Sequence, residues 1–171
     1  SDESALSDLV KLTPESMARG CLRTACLYYL LRDIPRAQDS FIEAVAYAPE
    51  LMEQVNRVLQ QIVSFGFSYA TGLDSRYGAV RFVDRVFSNL PPAVLALARF
   101  KSKAISTVYI ESAFENYEMS SLSRVTRDVL LAIAHDPSWL RNRGVWSIFL
   151  KSLVRVDGAF GGLDHRKRQE A

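Results

Sequence analysis

Three prolines divide the chain at nearly regular intervals and constrain its fold more than any other feature. Pro49, Pro91 and Pro137 each follow a segment with apolar residues at helical spacing, and the intervals between them are 42 and 46 residues. Proline ends a helix because its ring clashes with the preceding turn and it has no N–H to donate. Each interval has room for a long helix, a turn and a second helix. The spacing therefore predicts a helical hairpin repeated about three times, closed by a C-terminal capping helix.

The rest of the chain agrees with an all-α fold. The sequence has no convincing period-two alternation and no Asn-Gly turn, which are the usual signals of strands and hairpins. Hydrophobic residues make up 49% of the chain and charged residues 23%, which is an ordinary composition for a globular domain. We predict one helical-repeat domain over residues 1–157, followed by a flexible, Gly-rich and basic tail at residues 158–171.

Capping residues and prolines set the predicted helix boundaries. Thr13 and Pro14 suit the start of a helix that runs to about Leu31, and Asp33 suits the cap of the next one. That second helix is predicted to end near Tyr47. A third helix is predicted from about Leu51; it weakens near Gly66 and ends by Gly72. A fourth runs from Ala79 to Leu90, and an unbroken fifth runs from Ala93 to about Glu118. A sixth helix, capped by Ser121 or Ser123, ends at His135, and the last runs from Pro137 to about Val156.

Charge, hydropathy and cysteine spacing argue against several classes of protein. The net charge of +2 is too near zero to predict nucleic-acid binding, and no apolar run reaches the length of a membrane span. Cys21 and Cys26 are spaced for neither a redox pair nor a zinc site, so we expect buried free thiols in a reducing cytosol. The start at Ser1 without a signal peptide suggests a fragment of a longer cytoplasmic protein.

The first predicted hairpin resembles a known helical repeat. Tyr28, Ala37, Phe41, Ala44 and Pro49 fall at the spacing of the Tyr, Ala, Phe, Ala and Pro of the tetratricopeptide repeat. The third hairpin keeps part of that spacing and the middle one keeps little, and both intervals exceed the usual ~34 residues. The resemblance implies a degenerate tetratricopeptide-like α-solenoid, which could also be a free-standing scaffold that binds a protein or peptide.

The C-terminal third carries a second resemblance. Its segments are Ala113–Tyr117, Ala134–Val145 and Lys151–Leu153. On the basis of these segments, the chain from about Leu22 to Leu153 resembles the helical region that follows the catalytic domain in some bacterial, notably cyanobacterial, glycosyltransferases. The resemblance implies a parent enzyme that uses a nucleotide sugar, with this segment as a non-catalytic accessory domain. Such a domain would contact a protein partner, a second copy or the acceptor, and needs no cofactor.

Arg141, Asn142 and Arg143 are the candidate binding residues. They lie where the last helix begins and could reach a phosphate or an acidic partner surface. The favoured alternative is that Asn142 and Arg143 stabilise the corner by hydrogen bonds to backbone carbonyls. His135 is interpreted as a residue that ends a helix rather than as a general base. The sequence indicates no catalytic set and no metal site.

The last predicted helix has an apolar stripe made of Trp146, Phe149, Leu150, Leu153 and Val154. The favoured interpretation is that this stripe packs onto the preceding hairpin. A membrane-surface helix would have the same pattern, and the basic residues 166–168 leave open a peripheral contact with the inner membrane. The glycine-rich residues 158–162 follow a helix instead of joining a strand to one, so they indicate a helix stop and not a phosphate loop.

Two principal functional hypotheses follow. The first is the accessory domain of a glycosyltransferase, and the second is a free-standing tetratricopeptide-like scaffold. A small helical enzyme with an unrecognised site is a weaker third. A strand-helix alternation with an acidic metal motif upstream of Ser1 would favour the first hypothesis over the second.

Overall fold

The computed structural model describes residues 13–69 and 75–153, which are helical and contain no strand. The all-α prediction is confirmed for this part of the chain, whereas the predicted tail at residues 158–171 lies outside it. The α-helices are α1 (Pro14–Leu31), α2 (Ile34–Tyr47), α3 (Val55–Tyr69), α4 (Ser75–Ser88), α5 (Lys101–Glu118), α6 (Leu122–His135) and α7 (143–153 within the described part). Single 3-10 helices at Pro49–Met52, Pro92–Phe100 and Pro137–Arg141 begin at or next to the three dividing prolines.

The first two helices begin where the sequence predicts. Thr13 Oγ1 accepts a hydrogen bond from the Ser16 amide at 3.2 Å, and Asp33 Oδ1 accepts one from the Arg36 amide at 3.3 Å. Both helices carry a proline in the first turn, where a missing N–H costs nothing. α1 ends at Leu31, and its C-cap Arg32 has a φ of 65°, a left-handed conformation that turns the chain sharply into α2.

Consecutive helices form the main packing contacts. α1 packs extensively against α2 and α5 against α6, while α4 contacts α3, α5 and α1. In the first pair, Ala25, Ala37 and Ala44 are fully buried, so the two backbones approach closely around the buried Phe41 ring. One apolar cluster extends from α1 to α5, and a second joins α5 to α6 and α7. Tyr109 on α5 contacts both clusters.

Gly66 does not weaken α3, contrary to expectation, because it is a contact point between helices. α3 continues through it to Tyr69. A Cβ at Gly66 would lie 3.0 Å from Phe82 Cδ1 and 3.5 Å from Ala79 Cα, both on α4. The absent side chain lets α4 pack directly on the α3 backbone, and this packing outweighs the low helix propensity of glycine.

The unbroken helix predicted from Ala93 to Glu118 is wrong. Pro92–Phe100 is a 3-10 helix with a non-helical φ/ψ pair at Val94, and the α-helix begins at Lys101. Pro91, Val94 and Leu97 are buried and Phe100 is partly buried, whereas the residues between them are exposed. The buried positions therefore recur every third residue along this segment, on both sides of the kink at Val94. Leu95, expected in the helix's apolar pattern, is 56% exposed.

The last helix also differs from its prediction. Pro137–Arg141 forms a separate 3-10 turn, and α7 starts at residue 143. The buried face of α7 carries Val145, Ile148 and Ser152, and Ser152 Oγ lies 2.9 Å from Thr126 Oγ1 of α6. Leu150 and Leu153 of the predicted apolar stripe are 53% and 38% exposed. The predicted stripe omitted Val145 and Ile148, which are buried, and the next buried position is Ser152, whose hydroxyl contacts α6.

Candidate ligand-binding groove

Helices α4 and α5 leave an open groove between them with a volume of about 670 Å³. The opposite face of α4 is buried against the core through Ala79, Val83 and Val86, so the groove face is the one left to solvent. The lining side chains are a mixture of aromatic, aliphatic and charged groups: Tyr77, Val80, Arg81, Asp84, Arg85, Ser88, Asn89, Ile105 and Tyr109. We call this cavity the α4/α5 groove.

The charges in the α4/α5 groove are arranged unevenly. Asp84 Oδ1 lies 2.6 Å from Lys101 Nζ, which also donates to Ser88 Oγ at 3.2 Å. The guanidinium of Arg81 lies 4.5 Å from the centre of the Tyr77 ring, within the range of a cation–π contact. The acidic side chain thus has its own cation, and Arg81 and Arg85 give the groove a positive excess.

Polar contacts to the first hairpin fix the position of α4. Arg85 Nη1 donates to the carbonyl oxygens of Tyr29 and Leu30 at 3.0 and 3.4 Å, near the C-terminus of α1. A cation is favoured there because the last carbonyls of a helix carry partial negative charge. The Asn89 carbonyl accepts from Tyr29 Oη at 2.7 Å and from Gln38 Nε2 at 3.1 Å. One wall of the groove is therefore held by α1 and α2 before any ligand arrives.

The residues singled out in the sequence lie elsewhere. Arg141, Asn142 and Arg143 form the corner between the 3-10 turn and α7, and they do not line the α4/α5 groove. Asn142 Oδ1 accepts hydrogen bonds from the amides of Gly144 at 2.9 Å and Val145 at 3.2 Å, which makes it the N-cap of α7. Arg141 and Arg143 are exposed. Asn142 thus stabilises the corner, but by accepting from N–H groups and not by donating to carbonyls.

These geometries predict separable effects at the corner. Asn142→Ala should lower the free energy of unfolding by about 1 kcal/mol, because two amides at the start of α7 lose their acceptor. Arg141→Ala combined with Arg143→Ala should change it by less than about 0.5 kcal/mol, because both side chains are exposed. Thermal unfolding followed by circular dichroism measures both. If the double arginine variant lost as much stability as Asn142→Ala, the arginines would be part of the corner's structure.

His135 has structural contacts. It is the last residue of α6, and its ring stacks on Tyr109 with centroids 5.8 Å apart. Its Nδ1 lies 3.4 Å from Ser102 Oγ, but that hydroxyl donates to the His135 carbonyl at 2.8 Å. A serine whose proton is held by a carbonyl is not aligned for activation by the imidazole. The contacts support the interpretation of His135 as a helix-end residue.

The two cysteines have different environments, and both are free thiols. Cys26 is buried as expected, and burial raises the pKa of its thiol to about 12. Cys21 is partly exposed, contrary to the prediction, with its Sγ 3.9 Å from Glu43 Oε2. Partial burial and the neighbouring Glu43 carboxylate raise the pKa of the Cys21 thiol. Both shifts disfavour the reactive thiolate.

Within residues 13–69 and 75–153, no group of three or more His, Cys, Asp or Glu side chains could hold a metal ion. No helix of that same part of the chain combines the length and the apolar character needed to cross a bilayer. Comparisons with protein-family models, with curated proteins and with solved structures found no match.

A sequence signal for the groove existed. Tyr77, Arg81 and Arg85 stand four residues apart, so on a helix they share one face, and an aromatic–basic stripe of this kind can mark a binding surface. The signal was missed because α4 was predicted to begin at Ala79, which left Tyr77 outside the helix.

Proposed function

We propose that this chain is a non-catalytic helical domain that binds a peptide segment of a protein partner in the α4/α5 groove. The observation that carries the proposal is the groove itself, with aromatic and aliphatic side chains beside a polar rim. Tyr77 is 57% exposed at the edge of the groove, and the guanidinium of Arg81 lies over its ring. Exposed tyrosines and arginines are the residue types enriched at the energetic centres of protein interfaces.

Charge complementarity favours an acidic peptide as the occupant. Asp84 is paired with Lys101, so a bound chain meets mainly the positive charges of Arg81 and Arg85. An acidic segment gains from this field both in the rate of encounter and in the choice of partner. Apolar side chains of the same peptide can contact Val80, Ile105 and the tyrosine rings. A second copy of this chain is the competing occupant.

The helical hairpins support a tetratricopeptide-like scaffold as the architecture for this role. Its first pair has the expected packing of small residues around Phe41. The resemblance of the C-terminal third to segments of bacterial glycosyltransferases supports the narrower proposal of an accessory domain in such an enzyme. In that setting, the groove would bring a partner or a protein acceptor to the catalytic domain. Deleting the domain should then lower sugar transfer by the parent enzyme.

Peptide selection tests the binding proposal directly. Random displayed peptides are selected on the wild-type protein, and their affinities are measured by fluorescence anisotropy. Tyr77→Ala should weaken the selected peptides by about tenfold or more, since losing a central aromatic contact at an interface typically costs more than 1 kcal/mol. The selected peptides should be enriched in Asp and Glu.

Tyr47→Ala is the matched control, because Tyr47 is 43% exposed on α2 and lies outside the groove. It should leave peptide affinity unchanged. Failure to select any peptide, or equal binding by the Tyr77 and Tyr47 variants, would overturn the proposal. Sedimentation velocity on the wild-type protein tests the competing occupant: a dimer dispersed by Tyr77→Ala would assign the groove to a second copy.

A further inference from the structure

A smaller cavity of about 200 Å³ adjoins the α4/α5 groove where Arg81 and Arg85 line both spaces. Its walls come from three helices. Leu30 and Arg32 belong to the end of α1, Gly66 and Tyr69 to α3, and the remaining lining residues to α4: Gly78, Arg81, Phe82 and Arg85. We call it the arginine pocket, because three arginines and no acidic residue are among its lining residues.

We propose that the arginine pocket binds an oxyanion, a carboxylate or a phosphate group, carried by the peptide that occupies the α4/α5 groove. The inference rests on the proposed function for the identity of the carrier. The pocket itself is defined by its own residues. Guanidinium groups match the geometry of both oxyanions and form shorter, stronger hydrogen bonds with them than neutral donors do.

Local structure positions each arginine. Arg32 is the C-cap of α1, where its left-handed backbone and its amide bonds to the Tyr28 and Tyr29 carbonyls fix the direction of the side chain's base. Arg81 and Arg85 are one helical turn apart on α4 and share a face. Arg85 is partly buried and uses Nη1 to hold the end of α1. A guanidinium has five N–H donors, so Arg85 can hold α1 and still donate to a ligand.

The balance of charge around the pocket favours an anion. Asp33 neighbours Arg32 but lies 3.5 Å from Arg36, and Asp84 lies 2.6 Å from Lys101. Both nearby carboxylates thus have cations outside the pocket. Arg81 and Arg85 repel one another at a spacing of four residues, and a bound oxyanion would relieve that repulsion. Gly66 and Gly78 contribute no side chain to the wall of the pocket.

Titration with inorganic phosphate tests the pocket without any peptide. Arginine side-chain NMR signals of the wild-type protein should shift in a saturable way, and Arg32→Gly should weaken that binding by about tenfold or more, because one charge-assisted contact is lost. Glycine adopts the left-handed conformation without a steric penalty, so Arg32→Gly should keep or raise the melting temperature. Arg127→Gln removes an exposed positive charge on α6, outside the pocket, and is the control.

Peptide variants identify the source of the oxyanion. A peptide selected on the groove is synthesised with Glu, phosphoserine or Gln at its most strongly required acidic position. We expect the Gln peptide to bind at least about tenfold more weakly, and Arg32→Gly to remove most of that difference. Tighter binding of the Glu peptide would identify a carboxylate as the ligand of the arginine pocket. Tighter binding of the phosphoserine peptide would identify a phosphate.

The outcomes separate this inference from the proposed function. If peptides bind through Tyr77 but the Gln peptide binds as well as the Glu and phosphoserine peptides, the groove stands and the arginine pocket is overturned. If no peptide is selected but phosphate binds and is lost in Arg32→Gly, the oxyanion site stands and its peptide carrier is overturned. Equal phosphate binding by Arg32→Gly and Arg127→Gln would overturn the pocket itself.

Discussion

Replacing Phe41 by alanine should lower the free energy of unfolding by about 3–5 kcal/mol. Phe41 is 2% exposed on α2, within the apolar cluster that includes Ala25 and Leu22 of α1. Removing its ring loses the free energy of burial and leaves a cavity, because fully buried alanines around it have no side chain long enough to fill the space. Urea unfolding followed by circular dichroism measures the change.

Ile42→Ala is the control for Phe41→Ala. Ile42 is the next residue of α2 but is 43% exposed. Its truncation therefore removes less buried apolar surface and leaves no closed cavity. We expect a cost of less than about 1 kcal/mol, since only part of the side chain leaves the core. A Phe41→Ala variant within a few tenths of wild type, or one equal to Ile42→Ala, would contradict the packing of the first hairpin.

Local chemistry explains why some helices could be predicted. The starts of α1 and α2 depend on one side-chain acceptor and one proline each, and both are within four residues of the boundary. The end of α6 at His135 depends on the nearby Pro137. Such boundaries need no knowledge of distant contacts, because the orphan amides and the proline ring act within one turn.

Tertiary contacts decided the boundaries that were missed. At Gly66 the local signal indicated a weak helix, but the direct approach of Ala79 and Phe82 outweighed it. In the segment from Pro91 to Phe100, apolar residues stand at every third position of the sequence. The prediction treated this segment as part of a longer α-helix. Val94 and Leu97 are buried at an interval of three, and the non-helical backbone at Val94 interrupts the predicted α-helix.

The candidate site was harder to predict than the fold. Arg141 and Arg143 are candidates because both stand at the predicted start of the last helix, whereas the arginine pocket joins Arg32 to Arg81 and Arg85 across about fifty residues of chain. That association depends on α4 packing against the end of α1, through the contact of Arg85 with the Tyr29 carbonyl. A single sequence shows the stripe on α4 but not the helix end that it meets.

A second large effect is expected at Asp128, a fully buried carboxylate on α6. Its Oδ2 accepts hydrogen bonds from Ser112 Oγ at 2.8 Å and from Asn116 Nδ2 at 3.0 Å, both on α5. Asp128→Ala should lower the free energy of unfolding by about 2–4 kcal/mol, because two donors at the interface of α5 and α6 lose an ionisable acceptor. Chemical unfolding at neutral pH measures the loss. Asp39→Ala, at an exposed position on α2, should change stability by less than about 0.5 kcal/mol.

A double-mutant cycle shows whether the lost stability comes from the hydrogen bonds of Asp128. Ser112→Ala removes one donor, so the double variant with Asp128→Ala should be more stable than the sum of the single effects predicts, by about 0.5–3 kcal/mol. Strict additivity would show that Asp128 acts through other contacts. The sequence contained a sign of this network, since Asp128 stands between Val125 and Ala132 on the apolar face of α6. A charged residue on an apolar helix face requires a polar partner on the facing helix, and α5 supplies Ser112 and Asn116.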